Sequence, residues 1–270
     1  MIEKEGFEKL KNLVFAVRGL DVGQYKENYL KRRFAVRMRA LQISDYGAYA
    51  SFLEKNPQEF DILMDKLTIN VTQFFRDTEV FSEFENTVLL ELFENKKNRL
   101  CIWSAGCSSG EEPYSIAISV METAEKSGIG SLDLEIQATD IDNAVLFKAV
   151  SGKYEGRTLD NVPETRKKKY FNFDGKNYII NEEVRQKVKF IRANLMEPYK
   201  TAYFDVVFCR NVIIYFSREL QKKVIGFFYD ALKEGGYFFM GKTETMLMEM
   251  REKFECVNIK ERIFRKTSRK

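Results

Sequence analysis

The side chains best suited to chemistry in this sequence are acids that follow short apolar runs. The apolar run 100–103 is followed by small residues that include Gly106 and Gly110, and then by Glu111 and Glu112. Small residues let a backbone approach a ligand closely, and the start of a helix normally favours an anion. Two carboxylates would repel a pyrophosphate there and would suit a cation such as an ammonium. Alternatively, both acids simply complement the helix dipole.

A further acid follows the next predicted strand. Asp140 closely follows the predicted strand 132–138 and lies about 30 residues after the glycines, as a βαβ unit requires. An acid at this position can accept hydrogen bonds from both hydroxyls of a ribose, whereas Asp142 is better explained as the cap of the next helix. The glycine segment argues against NAD and nucleoside triphosphates, because its acids would repel phosphates and it contains no P-loop lysine.

Two other polar segments interrupt apolar sequence. Arg210 and Asn211 follow the apolar run 204–209, and burying such side chains at the end of a strand is costly unless they are paired. The plain explanation is that Arg210 forms an ion pair with Asp205 or another nearby acid. Residues 68–77 alternate polar side chains with large aromatic ones, which predicts a packed connection between domains; the alternative is a simple interdomain plug.

The sequence contains no histidine, which excludes Ser-His-Asp and Cys-His catalysis, HExxH zinc sites and histidine proton shuttles. We therefore expect no metal site. The net charge of +4 does not demand a nucleic acid partner. We expect a cytoplasmic protein without membrane insertion, since the chain lacks a long apolar run and the features of a signal peptide. Four cysteines without a CxxC pair predict reduced thiols: Cys101, Cys107, Cys209 and Cys256.

The spacing of apolar residues predicts two kinds of domain. Over about the first 75 residues they recur at helical spacing, so we assign residues 1–76 to an all-helical N-terminal domain with its linker. Residues 77–270 form the second domain. From residue 99 onward, apolar runs alternate with helical segments, which predicts an α/β, Rossmann-like doubly wound parallel sheet covered by helices on both faces. A helix over 220–232 should end at Gly235-Gly236.

Two features depart from this alternation. Asp174 and Gly175 stand between alternating aromatic residues, a pattern that predicts a β-hairpin. We place this hairpin in a small β-subdomain inserted at about residues 153–187. Near the tail, the runs 254–257 and 262–265 are too close together for a crossover helix, so the last strand of the sheet should be antiparallel.

Four of these segments together resemble the chemotaxis receptor methyltransferases, the CheR-type glutamate O-methyltransferases. They are Asn70-Val71-Thr72 with Phe75-Arg76, residues 110–115, residues 138–142, and Cys209-Arg210-Asn211-Val212 with Ile214-Tyr215-Phe216. The resemblance covers nearly the whole chain. It implies a methyltransferase fold, S-adenosylmethionine as cofactor and S-adenosylhomocysteine as product. It further implies methyl esterification of glutamate side chains on the acidic, helical cytoplasmic domains of chemoreceptors.

The resemblance also implies roles for single residues. Arg76 and Tyr215 would lie in the methyl-transfer zone, where Arg76 could hold the substrate carboxylate and Tyr215 could border the methyl group. Asp140 would hold the ribose, and one of Glu111 and Glu112 would hold the ammonium. The full set of implied cofactor contacts is Asn70, Thr72, Arg76, Gly106, Glu111, Glu112, Asp140, Asn194, Leu195, Asn211 and Val212.

A glutamate substrate agrees with the missing histidine. Its carboxylate, with a reference pKa of about 4.3, is already ionised at neutral pH and needs no general base. Two alternatives stay open, a non-catalytic S-adenosylmethionine-binding signalling module and an RNA methyltransferase. The absence of an Asn-Pro-Pro-Tyr type motif after the fourth strand argues against methylation of base amines.

A basic segment offers a docking surface for the substrate protein. Between residues 26 and 39, six cations accompany one acid, Glu27, and on a single helix they would form a positive face. A solvated face is the plain explanation, whereas the resemblance favours docking of an acidic receptor helix. The implied docking residues, which follow Lys26, are Lys31, Arg32, Arg33, Arg37 and Arg39. We expect a monomer, and the short turn at 173–176 predicts that no receptor peptide tether binds.

Overall fold

The structure, a computed structural model, describes residues 2–67, 71–95 and 99–267. Within these ranges, no helix combines the length and the apolar character that crossing a membrane requires. The chain divides into two compact units. The helical unit comprises residues 1–70 and 215–221, and the sheet unit comprises residues 71–214 and 222–270.

The helical unit has the architecture predicted from its apolar periodicity. Its helices are α1 (Ile2–Arg18), α2 (Glu27–Ala40), α3 (Tyr46–Lys55) and α4 (Pro57–Leu67). Asp45 caps α3 by accepting a backbone N–H, and Pro57 takes the first position of α4, where its missing N–H has no partner to lose. The segment 215–221 joins this unit through an antiparallel backbone bridge between Phe216 and Tyr25.

Two sheets form the sheet unit. Its strands are β1 (Arg99–Ala105), β2 (Asp133–Asp140), β3 (Lys153–Tyr154), β4 (Phe171–Phe173), β5 (Tyr178–Ile180), β6 (Val188–Arg192), β7 (Phe204–Cys209), β8 (Leu232–Met240), β9 (Phe254–Asn258) and β10 (Ile263–Lys266). The large sheet has the order β6-β2-β1-β7-β8-β10-β9, and its first five strands are parallel. Strand β10 is antiparallel to both of its neighbours. The predicted doubly wound sheet with an antiparallel end is confirmed.

The remaining α-helices precede β1 or follow a strand in the chain. They are α5 (Thr78–Glu83), α6 (Leu89–Glu94), α7 (Glu111–Lys126), α8 (Asn143–Ser151), α9 (Glu164–Tyr170), α10 (Glu182–Arg185) and α11 (Arg218–Ala231), with a π-helical turn at Phe84–Val88 between α5 and α6. Aromatic rings fill the core beside β7 and β8, where Phe208 stacks on Phe239 at 4.2 Å and Phe84 meets both rings edge-on. Sequence patterns did not predict β6 or the helices over 78–94.

One predicted helix end was wrong. Helix α11 ends at Ala231, and Gly235 and Gly236 lie inside β8 rather than beyond the helix. The pairing of β7 with β8 shifts register at this point. A Cβ on Gly236 would come within 3.0 Å of the Asp205 carbonyl oxygen, so the irregular strand requires a residue without a side chain there.

The small sheet is the inserted subdomain that the Asp-Gly pattern predicted. Its antiparallel order is β3-β5-β4, and it lies in the chain between α8 and β6. The turn at its hairpin is tight, because the Asp174 side chain accepts the N–H groups of Lys176 and Asn177 at 3.0 and 2.7 Å. Gly175 there has a φ of +93°, which glycine adopts without strain.

Candidate functional site

The predicted site residues of the sheet unit lie where its parallel strands end. Strands β1, β2, β7 and β8 run side by side in the same direction, so their carboxyl ends share one edge of the sheet, here called the carboxyl edge. Ala105 pairs with Thr139 at the end of β1 and β2, and Cys209 pairs with Met240 at the end of β7 and β8. Ligands of open α/β sheets bind outside this edge.

The glycine loop, residues 106–110, is fastened to the end of β2. The N–H groups of Gly106 and Cys107 both donate to the Thr139 carbonyl oxygen, at 2.8 and 2.9 Å. Gly106 has a φ of +78°, and a Cβ there would come 2.5 Å from Cγ2 of Val212. The loop therefore approaches the segment after β7 more closely than any residue with a side chain would allow.

Asp140 ends β2 and faces the glycine loop. Its carboxylate accepts the N–H of Ser108 at 2.9 Å and the N–H of Asp142 at 3.0 Å. Burial raises the pKa of Asp140, although these backbone hydrogen bonds act in the opposite direction. Asp142 caps α8 by accepting the N–H of Ala144, as predicted.

Glu111 and Glu112 begin α7 but differ in their surroundings. Glu111 is 3% exposed and accepts the Ser109 hydroxyl at 2.8 Å, whereas Glu112 accepts the hydroxyl of Ser104 on β1, also at 2.8 Å. Burial raises the pKa of both carboxyl groups. In Glu112 this effect outweighs the guanidinium of Arg210, which lies 3.4 Å from the carboxylate. An added cation would favour the ionised form of both acids.

Arg210 connects three segments at the carboxyl edge. Its side chain is 1% exposed, and it donates to the carboxylates of Glu112 and Asp77 and, at 3.0 Å, to the carbonyl oxygen of Arg76. The predicted ion pair of Arg210 with Asp205 was wrong, whereas the alternative prediction, a pair with another acid, is confirmed. Asp205 instead accepts the ammonium of Lys233 at 2.9 Å. The arginine thus holds the loop that carries Arg76.

That loop, residues 74–77, has a strained backbone and is here called the Arg76 loop. Phe75 and Asp77 have φ values of +50° and +58°, which cost non-glycine residues on the order of 1–3 kcal/mol each. Arg76 and Thr72 are half-buried, and Arg76 donates to the carbonyl oxygen of Val71 at 3.1 Å. Left-handed backbone at bulky residues persists only where the surroundings impose it, and it gathers at functional sites.

Sequence reasoning missed Glu244, which holds the segment after β7. Its carboxylate is 2% exposed and accepts three backbone N–H groups, from Gly241 at 2.6 Å, Val212 at 3.0 Å and Ile214 at 3.2 Å. Burial nevertheless raises its pKa. Glu244 follows the end of β8 by four residues, so the signal that identified Asp140, an acid shortly after a strand, would have found it.

Asn211 adopts a left-handed backbone, with a φ of +61°, in the segment that Glu244 holds. Its side-chain oxygen is buried and has no hydrogen-bond partner within the described residues. A polar atom in that condition is costly unless a ligand completes its hydrogen bond. Asn211 is therefore suited to contact a cofactor at the carboxyl edge.

Asn194 and Leu195 follow β6, next to the end of β2. The neighbouring Ala193 donates its N–H to the Asp140 carbonyl oxygen at 3.0 Å, and the Asn194 side chain accepts the N–H of Met196. The segment 193–196 is therefore tied to the strand that carries Asp140. Both residues are half-buried, so each keeps surface that a ligand can reach.

Two implied site residues are not part of the described sheet unit. Tyr215 belongs to the helical unit, where its ring lies 4.7 Å from that of Tyr29 and its carbonyl oxygen accepts the N–H of Lys26. Asn70 lies outside the described residues. The roles implied for these two residues stay predictions.

The implied docking residues of α2 are not all available as cations. Arg37 donates twice to Glu59, at 2.7 and 2.8 Å, and Lys31 pairs with Glu27 at 2.7 Å. Arg33 lies over the ring of Tyr29. Arg32 and Arg39 are the exposed members of the set, whereas Lys31, Arg33 and Arg37 are partly buried.

Comparison with known proteins matches both parts of the sequence to one family. A family model described as CheR methyltransferase, SAM binding domain, matches residues 70–263, and another, described as CheR methyltransferase, all-alpha domain, matches residues 5–68. A chemotaxis protein methyltransferase of Listeria innocua is 36% identical over 229 residues, which cover 85% of this chain and 86% of that protein. Chemotaxis protein methyltransferase 2 of Vibrio cholerae is 32% identical over 254 residues, covering 91% and 87%.

The cofactor is S-adenosylmethionine, and the residues at the carboxyl edge fit it. This molecule presents an ammonium, a sulfonium and a ribose diol. Burial disfavours the ionised forms of Glu111, Glu112 and Asp140, and cations or hydroxyl donors would offset that cost. The buried oxygen of Asn211 offers a further acceptor.

Proposed function

Since this chain belongs to the CheR methyltransferase family, we propose that it methyl-esterifies glutamate side chains on the acidic, helical cytoplasmic domains of chemoreceptors. The observation that carries the proposal is the contact of Arg210 with both the partly buried Glu112 and the carbonyl oxygen of Arg76 at one sheet edge, in a chain without histidine. A glutamate substrate is ionised at neutral pH and needs no general base. The names of the relatives, chemotaxis protein methyltransferases, support the same class of substrate.

Within this proposal, Glu112 is the better candidate for the cofactor ammonium. It contacts Ser104 on β1 and Arg210 after β7, so it faces the centre of the carboxyl edge. Glu111 is turned toward the Ser109 hydroxyl and is less exposed to solvent than Glu112. Asp140 would accept the ribose hydroxyls.

When bound, the cofactor supplies a methyl group already activated for transfer. The chain must then align a carboxylate oxygen of the substrate with that methyl and exclude water. Such orientation can lower a barrier by roughly 7–11 kcal/mol. Arg76 is proposed to hold the substrate carboxylate, with its own position fixed through Arg210 and the Arg76 loop.

Transfer of labelled methyl from S-adenosylmethionine to purified receptor cytoplasmic fragments tests the activity. Release of the label as methanol in mild base identifies a methyl ester. Arg76→Ala should lower the transfer rate at least tenfold, because it removes the side chain proposed to hold the substrate carboxylate. The control is Arg157→Ala, which removes an exposed arginine of the inserted subdomain. Base-stable label, label on RNA alone, or no transfer despite cofactor binding would contradict the proposal.

We further propose that Arg32 and Arg39 of α2 dock the acidic receptor helix, since both are exposed whereas Arg37 is paired with Glu59. Reversing both charges to glutamate should raise the KM for receptor fragments severalfold and leave affinity for S-adenosylhomocysteine unchanged. Lys168→Glu, an exposed reversal in the sheet unit, is the control. An unchanged KM at low salt would contradict this docking surface.

The tight hairpin turn at Asp174–Asn177 supports the proposal that no receptor peptide tether is needed. The turn is closed on itself, because Asp174 donates its N–H to the Asn177 carbonyl oxygen at 3.0 Å and its side chain accepts two further N–H groups. Receptor fragments with and without their C-terminal pentapeptide should be methylated equally well. Tight calorimetric binding of the isolated pentapeptide would contradict this expectation.

A further inference from the structure

One side chain of the inserted subdomain contacts both loops of the site. Tyr154 on β3 is 4% exposed, and its hydroxyl donates to the Ser109 carbonyl oxygen in the glycine loop at 2.8 Å. Its ring lies edge-on to that of Phe74 in the Arg76 loop, with centroids 4.8 Å apart. A Cβ on Gly110 would come 3.0 Å from the same hydroxyl, so the packing is close on this side too.

Other groups of the subdomain hold the backbone of the Arg76 loop. The N–H of Phe74 donates to the Thr158 carbonyl oxygen at 2.9 Å. The side-chain amide of Asn161 donates to the carbonyl oxygen of Phe75 at 3.4 Å. The ring of Phe171 on β4 packs edge-on against Phe74, at 5.1 Å. The loop is therefore gripped through its main chain as well as its aromatic side chains.

The subdomain also makes a cation–π contact with the Arg76 loop, through Arg166 on α9. Its guanidinium lies over the ring of Phe75, 4.6 Å from the centroid. Glu85 and Glu122 each accept from it at 2.8 Å, so the cation is fixed in place. Stacking of this kind attracts the cation to the face of the ring and orients both groups.

We propose that the inserted subdomain is a positioning device, which holds the glycine loop and the Arg76 loop in a fixed mutual arrangement through Tyr154, Asn161 and Arg166. The inference rests on the roles proposed for those loops in cofactor binding and methyl transfer. Because Phe75 and Asp77 adopt left-handed backbone, the Arg76 loop needs contacts from outside itself to keep its shape. Arg210 supplies such contacts at Arg76 and Asp77, and the subdomain supplies them at Phe74 and Phe75.

The test uses three conservative variants. Tyr154→Phe removes only the hydrogen bond to the glycine loop, Arg166→Lys keeps the charge but removes the stacked guanidinium, and Asn161→Ala removes one amide without burying a charge. Tyr178→Phe on β5, in the same small sheet, is the control. Amide hydrogen exchange of the cofactor-free proteins reports on peptides that cover 71–81 and 104–115.

Arg166→Lys and Asn161→Ala should speed exchange in 71–81 and lower kcat severalfold, with the KM for S-adenosylmethionine kept. Tyr154→Phe should speed exchange in 104–115 and weaken binding of S-adenosylhomocysteine by about 2–10-fold, the usual range for one neutral hydrogen bond. The control should change neither. Thermal unfolding verifies that each variant is folded. If Arg166→Lys does not fold, Asn161→Ala still tests the contacts with the Arg76 loop.

Wild-type exchange in both peptides of all folded variants would overturn the inference, as would an equal effect of Tyr178→Phe. The proposed function fails separately. If the wild-type protein transferred no methyl to receptor fragments while the variants still showed faster exchange, the positioning role would stand and the substrate assignment would be lost.

Discussion

Acidic side chains at the two ends of the parallel strands have pKa values shifted in opposite directions. We call the end where the strands begin the amino edge. At the amino edge, Glu135 near the start of β2 accepts hydrogen bonds from Gln137, Tyr203 and Arg99, at 2.6, 2.8 and 3.0 Å. Burial raises its pKa, but these three bonds outweigh that effect and lower the pKa to about 2. At the carboxyl edge, burial keeps the pKa of Glu112 raised even beside Arg210.

The difference separates charge used for stability from charge kept for a ligand. The amino edge compensates its acid within the protein, so the ionised form stabilises the fold. The carboxyl edge leaves ionised forms partly uncompensated at Glu111, Glu112 and Asp140, and it also contains the strained residues Phe75 and Asn211. Buried carboxylates without full compensation and strained backbone that occur together indicate a site whose interactions are completed by a bound ligand.

The sharpest test exchanges the same carboxyl for an amide at each edge. Glu112→Gln should weaken binding of S-adenosylhomocysteine by about 10–100-fold, since a hydrogen bond to a charged group contributes roughly 1.5–3 kcal/mol. Calorimetry measures the affinity, and thermal unfolding of the cofactor-free variant should show little loss.

The matched variant, Glu135→Gln, should do the reverse. It removes the acceptor that Arg99, Tyr203 and Gln137 share, so stability should fall while affinity for S-adenosylhomocysteine stays unchanged. If both variants weakened binding equally, the contrast between the two edges would be wrong.

Glu244→Gln should have the next largest effect. The amide would point an N–H₂ group at backbone N–H groups that now donate to a carboxylate. We expect a loss of about 1–3 kcal/mol in the free energy of unfolding. Because Asn211 and Val212 would shift, binding of S-adenosylhomocysteine should also weaken, on the order of tenfold. Unchanged binding in a destabilised variant would limit Glu244 to the fold.

Two glycines offer a matched pair for the glycine loop. Gly106 and Gly128 both have left-handed backbone, at +78° and +70°, but a Cβ on Gly128 would meet nothing within 4 Å. Alanine at either position costs about 1 kcal/mol for its backbone. Gly106→Ala should cost on the order of 1–3 kcal/mol more, through its clash with Val212, and should also weaken cofactor binding. Chemical denaturation measures both variants, and equal losses would argue against close approach at Gly106.

The smallest effect expected is on the pH dependence of stability. The depressed pKa of Glu135 means that its contribution to stability is present above pH 4.5 and is lost as pH falls toward 2. The raised pKa of Glu112 acts oppositely, because stability falls as pH rises through the window just above 4.5. Urea unfolding across pH 3–6.5 gives the free energy of unfolding as a function of pH. Glu135→Gln and Glu112→Gln should therefore change the slope of that curve in opposite directions, and changes of the same sign would contradict this expectation.

Local sequence patterns predicted several residues of the carboxyl edge. Glycines before acids and an acid after a predicted strand located Glu112 and Asp140, since these patterns depend on neighbours in the chain. Contacts between distant segments were not predictable in the same way. Arg210 pairs with Asp77, which is 133 residues away in the chain. Tyr154 belongs to the inserted subdomain, and no local sequence pattern indicates that it contacts Ser109.

The docking helix illustrates the same limit in the helical unit. Charge spacing located α2 and its cations, but could not reveal that Arg37 meets Glu59 on α4. An ion pair of this kind removes one cation from a surface that looked uniform in sequence. The exposed pair Arg32 and Arg39 is a narrower hypothesis than the six cations suggested.

The order of strands at the far side of the large sheet has a consequence for folding. Strand β10 follows β9 in the chain but lies between β8 and β9. Strand β9 therefore has no place in the sheet until β10 is in position. We expect the β9–β10 hairpin to form first as a local unit, on the microsecond scale typical of hairpins, and then to dock onto β8 as a single piece.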